Sequence, residues 1–581
     1  MARGQQRQGN AHHDDARERT ARWGMSQEDA AISSRAFVVL GIFVLIALLF
    51  CVRLFYLQVI KAEEYSALAE NERTADIEIS PRRGTIYDRN GNVLAISVDA
   101  TTVYANPSEV TLVEYTAYEI AQVLGGDVQD YIDAINNSES KTFVYIKQKA
   151  DVDKAEQLKE LGLDGIYFID DTRREYPYGQ TGGQVIGFCN ADGEGVSGLE
   201  AYYDEVLRGE AGRLVVERAV DGTTIPGGVH EDTPSVDGQD IMVSLDIELQ
   251  AYVEERLLQD EEGLTASGGT SIVMDAGTGE IYAAASLPLF NPSDPSESEV
   301  GSDQLVCITQ ALEPGSNFKT VTALAALETG TMKTEDELDC PAVIEADGYQ
   351  ISDAEDRADT TYTLREIIQY SSNVGISLTA EKLGFDKLYD YILKYRLHEL
   401  TGVDYPGESE GYLLDFGSWS RVQGYNTSFG QGISVTPLQM TCFYGSLLND
   451  GVSCTPHFLM TKLSENETVK WQTHDIIENK DAIPDMVSML ESVVSDGTAM
   501  YAQIDGYDVA GKTSTAEIAS ESGGYETDVY NVAFVGFIAN SNSKLVCYTG
   551  AYRTPWESVT TLIFRDIMTF AIDRYRITPE E

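Results

Sequence analysis

The sequence has few of the residues that metal sites, disulfide frameworks and nucleic-acid surfaces require. It contains seven cysteines and six histidines in 581 residues. The cysteines form no C-x-x-C pair and the histidines show no metal-ligand spacing, so no zinc site is predicted. The scattered cysteines show no disulfide framework, although pairing among them stays open. Basic residues number 41 against 94 acidic ones, and a net charge of −53 repels phosphates, which excludes nucleic acid as a partner.

Long uncharged runs are also scarce, and the one that stands out lies near the N terminus. Residues 36–57 are apolar apart from Arg53, and at about 1.5 Å per residue they nearly span the core of a bilayer. A cleaved signal peptide is the alternative, but no pair of small residues marks a cleavage site, so an uncleaved anchor is favoured. The arginine-rich residues 1–35 are then cytoplasmic by the positive-inside rule, and the chain from about residue 58 onward is extracytoplasmic.

The rest of the chain is too long for one compact core, so more than one domain is expected. Asn90-Gly91 between two apolar strands predicts a tight hairpin turn. Residues 107–165 have the pattern of a small α+β module, and the Gly/Asp/Pro-rich segment 226–238 is typical of a linker. These features predict a first extracytoplasmic domain, without a catalytic role, that ends at residue 237.

A second domain is expected to begin at residue 238, with a strand–turn–strand hairpin beside a helix and, farther along the chain, two antiparallel strands around a turn. Asp246 is the expected start of its first helix. The segments expected to be regular are a strand over 241–245, a helix over 247–258, and strands over 270–275, 280–285, 509–516, 532–538 and 545–550.

The most informative motif of this domain is S-x-x-K at Ser316 and Lys319, in a helix-like run that stops at Gly330. Residues three apart share a helical face, so Lys319 is within reach of the Ser316 hydroxyl. Pro314 cannot continue a helix backwards, so the helix is expected to begin at or just before Ser316. A lysine in an apolar pocket loses its proton and acts as a base. Alone the motif is weak, because this spacing is expected by chance in a chain of this length.

Two motifs downstream strengthen the catalytic interpretation of Ser316 and Lys319. Ser371-Ser372-Asn373 lies at a predicted junction between helices over 364–370 and 374–383, where a helix cap is the ordinary interpretation. Lys512-Thr513-Ser514-Thr515 lies on a predicted strand. S-x-x-K, S-x-N and K-T-x in this order are typical of penicillin-binding proteins and class A β-lactamases.

The chain resembles the class B penicillin-binding proteins, which are membrane-anchored monofunctional transpeptidases, over nearly all of residues 50–570. The resemblance implies a multidomain α+β protein with a cytoplasmic tail (1–35), a single N-terminal transmembrane helix as anchor (36–57) and an elongated, non-catalytic α+β pedestal of the dimerisation type (58–237). It also implies a C-terminal transpeptidase domain (238–581) built from an antiparallel sheet flanked by helices. Further segments that carry the resemblance are R-G-x-I-x-D-R-N-G at 83–91, R-x-Y-P at 174–177, G-L-E at 198–200, E-P-G-S-x-F-K at 313–319 and S-F-G-Q-G-I-S-V-T-P-L-Q at 428–439.

The resemblance also implies a reaction, cross-linking of peptidoglycan stem peptides without a metal or cofactor. Ser316 attacks the carbonyl between the last two D-alanines of one stem peptide, and Lys319 takes its proton. Ser371 relays a proton to the leaving D-alanine, while Asn373 positions Lys319 and the donor amide. An amine of a second stem peptide then accepts the acyl group.

The third motif supplies the implied substrate contacts. Lys512 is the expected cation beside Lys319, and with Thr513 and Thr515 it holds the substrate carboxylate. Backbone N–H groups of Ser316 and Thr515 form the implied oxyanion hole. Ser514 departs from the family, which usually has glycine there so that the strand lies close behind the nucleophile. Because serine is also small, a working site is expected, and Ser514→Gly should retain activity.

The resemblance favours a septal transpeptidase of the division or sporulation type, a target of β-lactam antibiotics. The partners it implies are a SEDS-family glycosyltransferase and other divisome membrane proteins. An elongation-type transpeptidase is one alternative. A β-lactamase or β-lactam sensor is another, although the pedestal argues against the first and the single anchor against the second. A division scaffold whose site has decayed is motivated by Ser514, but the complete motif set argues against it.

Overall fold

The computed structural model describes residues 27–62, 74–138, 140–217, 231–259, 268–463, 467–519, 525–554 and 560–580. The predicted cytoplasmic tail up to residue 26 and part of the predicted linker, 226–230, lie outside these residues. The chain divides into two compact units, Met1–Glu78 with Arg213–Thr233, and Ile79–Gly212 with Pro234–Glu581. The predicted domain boundary between residues 237 and 238 stays a prediction.

The strands are numbered in chain order. They are β1 Thr74–Ile79, β2 Ile86–Tyr87, β3 Val93–Ala105, β4 Val144–Ala150, β5 Ile166–Glu175, β6 Gly212–Glu217, β7 Glu231–Thr233, β8 Ile241–Val243, β9 Gly269–Asp275, β10 Ile281–Ser286, β11 Glu337–Cys340, β12 Val343–Ala346, β13 Tyr349–Ser352, β14 Thr360–Thr363, β15 Tyr412–Leu413, β16 Ile433–Ser434, β17 Val452–Cys454, β18 Leu459–Lys462, β19 Glu467–Thr468, β20 Thr473–Asp475, β21 Asp508–Ala519, β22 Tyr525–Ala539 and β23 Leu545–Thr554.

The α-helices are numbered in the same way. They are α1 Gln27–Phe55, α2 Val113–Leu124, α3 Val128–Asn136, α4 Val152–Glu160, α5 Gly183–Ile186, α6 Gly198–Tyr202, α7 Asp204–Arg208, α8 Ile247–Leu258, α9 Val306–Thr309, α10 Lys319–Glu328, α11 Leu364–Gln369, α12 Asn373–Leu383, α13 Phe385–Lys394, α14 Arg421–Ser428, α15 Pro437–Leu448, α16 Ala482–Asp496 and α17 Thr560–Tyr575.

The first unit contains α1 and a small sheet. Helix α1 continues through a π-helical turn at Tyr56–Ile60, and Val38–Ile60 is long and apolar enough to cross a membrane. The side chains of this stretch are not buried against the protein. This confirms the predicted apolar helix, which begins earlier and ends later than residues 36–57. Strands β1, β6 and β7 form a three-stranded sheet.

The second unit contains two large sheets. One has the order β10-β9-β23-β22-β21 and is antiparallel throughout, as predicted, with β21 at one end. Helices α8 and α17 pack together against it, and α15 packs against its central strands. Asp246 caps α8, since its carboxylate accepts hydrogen bonds from the N–H groups of Glu248 and Leu249. This sheet and its helices form the scaffold of the candidate site.

The other sheet joins the predicted pedestal to the predicted catalytic domain. Its order is β19-β18-β8-β2-β3-β4, with β5 also paired to β3. Strands β2 and β8 are parallel, while β2 and β3 form the predicted hairpin, with Gly91 at φ +85° in its turn. Beyond this sheet, β3–β5 and α2–α4 enclose a small core of their own around Val103, Ile120 and Leu158.

A buried charge network joins three of the segments on which the family resemblance rests. Arg83 lies 2.6 Å from Glu200 and 2.6 Å from Asp204, and Arg174 lies 2.7 Å from Glu200. Burial alone would raise the pKa of Glu200, but the two guanidinium groups outweigh it and the pKa falls below its usual value. The R-G, R-x-Y-P and G-L-E segments are therefore joined to one another by buried ion pairs.

Candidate active site

Ser316 lies in a tight turn at the start of a buried helix. Gly315–Phe318 forms a 3-10 turn that leads directly into α10, so the helix begins where Pro314 predicts, although its first turn is tighter than expected. Side chains three apart are eclipsed in a 3-10 turn, which places Ser316 and Lys319 on the same side. Ser316 is half-buried, while Lys319 is 1% exposed.

The amine of Lys319 is held by the second motif. Its Nζ donates to the carbonyl oxygen of Ser371 at 2.5 Å and to Ser371 Oγ at 3.0 Å. Ser371 lies at the predicted junction between α11 and α12, in the left-handed region at φ +59°. This backbone conformation is uncommon for a residue with a side chain, and it brings both oxygens of Ser371 to one amine.

Burial and charge make Lys319 a candidate base. Burial lowers its pKa well below the usual value, the nearby Lys512 lowers it further, and Asp353 acts in the opposite direction. Lys512 is itself fully buried, which lowers its pKa to about 7, and its Nζ lies 3.3 Å from the carbonyl oxygen of Thr513. Lys512 therefore contributes to the lowered pKa of Lys319 in the direction expected of a neighbouring cation.

The third motif lies on β21, the end strand of the five-stranded sheet. Lys512 and Ser514 are buried, while Thr513 and Thr515 are partly exposed, as the alternation of a strand requires. The hydroxyl of Thr513 lies 2.9 Å from that of Thr498. Among the strands that the structure describes, β22 alone pairs with β21, so the other backbone edge of β21 faces away from the sheet.

Ser514 contacts the turn that carries the nucleophile candidate. Its Oγ donates to the carbonyl oxygen of Pro314 at 2.6 Å. Gly315 has φ +54°, and a Cβ at this position would lie 2.5 Å from Ser514 Oγ. The close approach of strand and turn therefore depends on a glycine at 315, opposite the serine that replaces the usual glycine at 514.

Two residues of the S-x-N motif make separate contacts at the start of α12. Ser372 caps α12, because its Oγ accepts a hydrogen bond from Gly375 N at 2.9 Å. Asn373 is the first residue of α12, and its Nδ2 donates to the carbonyl oxygen of Ser352 at 3.1 Å. The contact of Asn373 thus runs to β13, whereas Lys319 is held by Ser371.

Sequence reasoning missed two acidic residues that support the site. Glu313 accepts a 2.8 Å hydrogen bond from Gly432 N, and burial raises its pKa. With the bond from Gly315 N to Gly430 O at 3.0 Å, it fixes the G-Q-G turn behind the nucleophile turn. Asp353, in the loop after β13, faces the start of α12. The resemblance included Glu313 without a role, and no pattern singled out Asp353.

Two long segments of the chain match known protein families. Residues 269–569 match the penicillin binding protein transpeptidase domain, and residues 78–243 match the penicillin-binding protein dimerisation domain. The chain is 31% identical to stage V sporulation protein D of Bacillus subtilis, over 90% of this chain and 82% of that protein. It is 30% identical to the peptidoglycan D,D-transpeptidase FtsI of Escherichia coli, over 86% and 84%. The crystal structure of penicillin binding protein 3 from Mycobacterium tuberculosis complexed with aztreonam superposes with a TM-score of 0.66 at 25% identity, over 87% and 98%.

Proposed function

Because this chain belongs to the class B penicillin-binding proteins, we propose that it is a membrane-anchored serine D,D-transpeptidase that cross-links peptidoglycan in the septum, with Ser316 as the nucleophile. The observation that carries the proposal is the placement of Ser316 one 3-10 turn before a buried Lys319, whose amine is held by Ser371. An amine whose pKa is lowered, one turn after a serine at the start of a helix, is an arrangement in which the amine can act as the base that activates the serine.

The first half-reaction forms an acyl-enzyme. Ser316 Oγ attacks the carbonyl of the penultimate D-alanine while Lys319 takes the hydroxyl proton. The peptide C–N bond then breaks, and the leaving D-alanine receives a proton through Ser371, which lies within hydrogen-bond distance of Lys319. In the second half-reaction the amine of another stem peptide attacks the ester, loses its proton to the base, and releases Ser316 with its proton restored.

Strand β21 is proposed to bind the donor peptide. Its outer edge can add an extended peptide as a further strand, which places the peptide carbonyl beside the start of α10. Thr513 and Thr515 then contact the substrate carboxylate with the charge of Lys512 behind them, and Asn373 contacts the donor amide. The N–H groups of Ser316 and Thr515 are proposed to bind the oxyanion.

The membrane helix supports a proposal about topology and partners. Its apolar side chains are exposed along Val38–Ile60, so lipid or other membrane helices must cover them. The arginine-rich tail favours a cytoplasmic N terminus and an extracytoplasmic site. A SEDS-family glycosyltransferase and other divisome membrane proteins are the proposed neighbours of this helix.

The nucleophile is tested with the full chain in detergent and a fluorescent penicillin. Wild type should form a stable covalent adduct that Ser316→Ala lacks, while Ser296→Ala, which changes an exposed serine, should label normally. Rapid loss of the label with accumulation of penicilloate would favour a β-lactamase. Absence of label from folded wild-type protein would contradict the proposed function.

The septal role is tested separately, by depleting the protein in its host. Filaments would support a role in division, and defective spores after normal growth would support a role in the sporulation septum. Rounded cells would instead indicate an elongation-type transpeptidase.

A further inference from the structure

The loop between β13 and β14 brings one carboxylate to the start of α12. Asp353 lies 3.0 and 2.9 Å, through its two oxygens, from Ser372 Oγ, which is close enough to donate to either. The same carboxylate accepts the N–H of Val374 at 2.9 Å. The positive end of a helix favours a negative charge at this position. Asp353 thus satisfies a hydroxyl and a backbone donor next to the S-x-N motif.

Arg357 holds this carboxylate from the other side. Its Nε donates to Asp353 Oδ2 at 2.6 Å, and the two side chains are 16% and 12% exposed. Its Nη1 donates to the carbonyl oxygen of Cys340 at 2.9 Å, and its guanidinium lies 5.4 Å from the ring centre of Tyr362. A charge-assisted bond in a partly buried place is stronger than a surface ion pair. Asp353 is therefore fixed between α12 and the β11–β14 pair.

The contacts of Asp353 flank the residue that holds the base. Ser371 precedes Ser372, and its left-handed backbone costs about 1 kcal/mol or more, so neighbouring contacts must maintain it. Asn373, on the other side of Ser372, is bonded to Ser352, which precedes Asp353. The loop after β13 is thus hydrogen-bonded to the chain immediately after Ser371.

We propose that Asp353 is a positioning residue, which acts through Ser372 and Val374 to fix Ser371 and thereby the amine of Lys319. The inference rests on the proposed function, because it concerns the geometry of the same site. Asp353 does not touch the reacting atoms, and its effect on the reaction passes through Ser371.

A second effect separates this role from general support of the fold. The charged groups that act on Lys319 are Lys512 from β21, which lowers its pKa, and Asp353 from the β13–β14 loop, which raises it. Asp353→Asn removes a negative charge without changing shape, so the pKa of Lys319 should fall further. Since neutral Lys319 is the base, the acidic limb of the acylation rate should then move to lower pH. A change that merely loosened the fold would leave this limb in place.

The experiment measures the second-order rate of acylation of the full chain in detergent by a fluorescent penicillin, from about pH 5 to about pH 9. Asp353→Asn should lower the maximal rate by about tenfold or more, as misplacement of a catalytic group does, and should shift the acidic limb downward. Ser372→Ala should slow acylation without that shift, because the charge of Asp353 remains. Asp356→Asn, which removes an exposed carboxylate from the same loop, should match wild type. Thermal unfolding of each variant shows which ones are folded.

The double variant decides whether Asp353 and Ser372 act through one contact. If they do, Asp353→Asn with Ser372→Ala should be about as slow as the slower single variant, because such effects are not additive. The inference is overturned if Asp353→Asn has the acylation rate and the acidic limb of the wild type, or if the losses of rate in the two single variants are fully additive. In either case, labelling of the wild-type protein still supports the proposed function. If wild type is not labelled, both fail. If Asp353→Asn does not fold, a wild-type rate in Ser372→Ala overturns the inference.

Discussion

The hydroxyl of Ser514 donates a 2.6 Å hydrogen bond to the carbonyl oxygen of Pro314. This bond joins the end strand of the catalytic sheet to the turn that carries Ser316, and it is shielded from water because Ser514 is 4% exposed. A residue that departs from the family pattern thus contacts the nucleophile turn directly, by a bond that glycine could not make.

Ser514→Gly should retain penicillin acylation at close to the wild-type rate, because the change leaves the motif lysines and Ser316 in place. Loss of the bond to Pro314 should lower the free energy of unfolding by about 1–3 kcal/mol. Acylation rate and thermal unfolding check both parts, with Ser514→Ala as the variant that lacks the donor but keeps Cβ. An inactive but folded glycine variant would contradict this expectation.

Gly315→Ala should abolish most of the acylation. The new Cβ would lie 2.5 Å from Ser514 Oγ and 3.1 Å from Ala516 Cβ, in a backbone with φ +54°. Combining it with Ser514→Gly should restore part of the rate, since the first clash disappears. Gly330→Ala is the matched control, because Gly330 has φ +66° with nothing within 4 Å of the added Cβ. An active Gly315→Ala would show that the turn shifts without harm.

Lys512→Met should move the acidic limb of the acylation rate to higher pH. Lys512 lowers the pKa of Lys319, so replacing it with a neutral side chain of similar length raises that pKa. Neutral Lys319 then forms only at higher pH, and loss of the cation should also weaken binding of an anionic β-lactam. Rate–pH profiles measure both effects, with the exposed Lys333 changed to Met as control. An unshifted limb would argue that the two lysines do not interact.

Glu254→Gln should make stability less dependent on pH. Burial raises the pKa of Glu254 from 4.5 to about 7, despite hydrogen bonds from Gly182 N at 2.8 Å and Gln250 Nε2 at 2.7 Å. The folded state therefore holds a proton that the unfolded state releases. As the pH rises from 4.5 to 7, the free energy of unfolding of the wild type should fall by up to about 3 kcal/mol. The glutamine variant lacks this loss. Unfolding measured at acidic and at alkaline pH gives the pH dependence of the stability of each variant. The control is Glu255→Gln, which changes an exposed neighbour and should show the pH dependence of the wild type.

Local signals in the sequence explain what could be predicted. Asp246 caps α8 as expected, because the capping preference depends on the residue and its next neighbours. The junction at Ser371 is predictable from another local signal, because one apolar helical pattern ends there and the next begins. The left-handed backbone of Ser371 was not predictable, because no local rule assigns φ +59° to a serine.

The features of the fold and of the site that the sequence does not predict depend on long-range contacts. Asp353 reaches Ser372 across a loop, and nothing in the intervening sequence marks the two as partners. The parallel pairing of β2 with β8 joins residues that are far apart along the chain, so it depends on the whole fold rather than on strand propensity. The expected contact of Asn373 with Lys319 depends on the direction of the Asn373 side chain, which the local sequence does not determine. In the structure, Asn373 Nδ2 donates to the carbonyl oxygen of Ser352.

The sheet that contains both β2 and β8 has a mechanical consequence. Ile241 N donates to Thr85 O at 2.9 Å, and Thr85 N donates to Asp240 Oδ1 at 2.6 Å. Strand β8 is thus hydrogen-bonded beside β2 immediately before the segment that leads through Asp246 into α8. Only Ser244 and Leu245 lie between the end of β8 and Asp246, the residue that caps α8. A displacement of β2 would therefore act on the backbone hydrogen bonds between β2 and β8 and pass along the chain to α8.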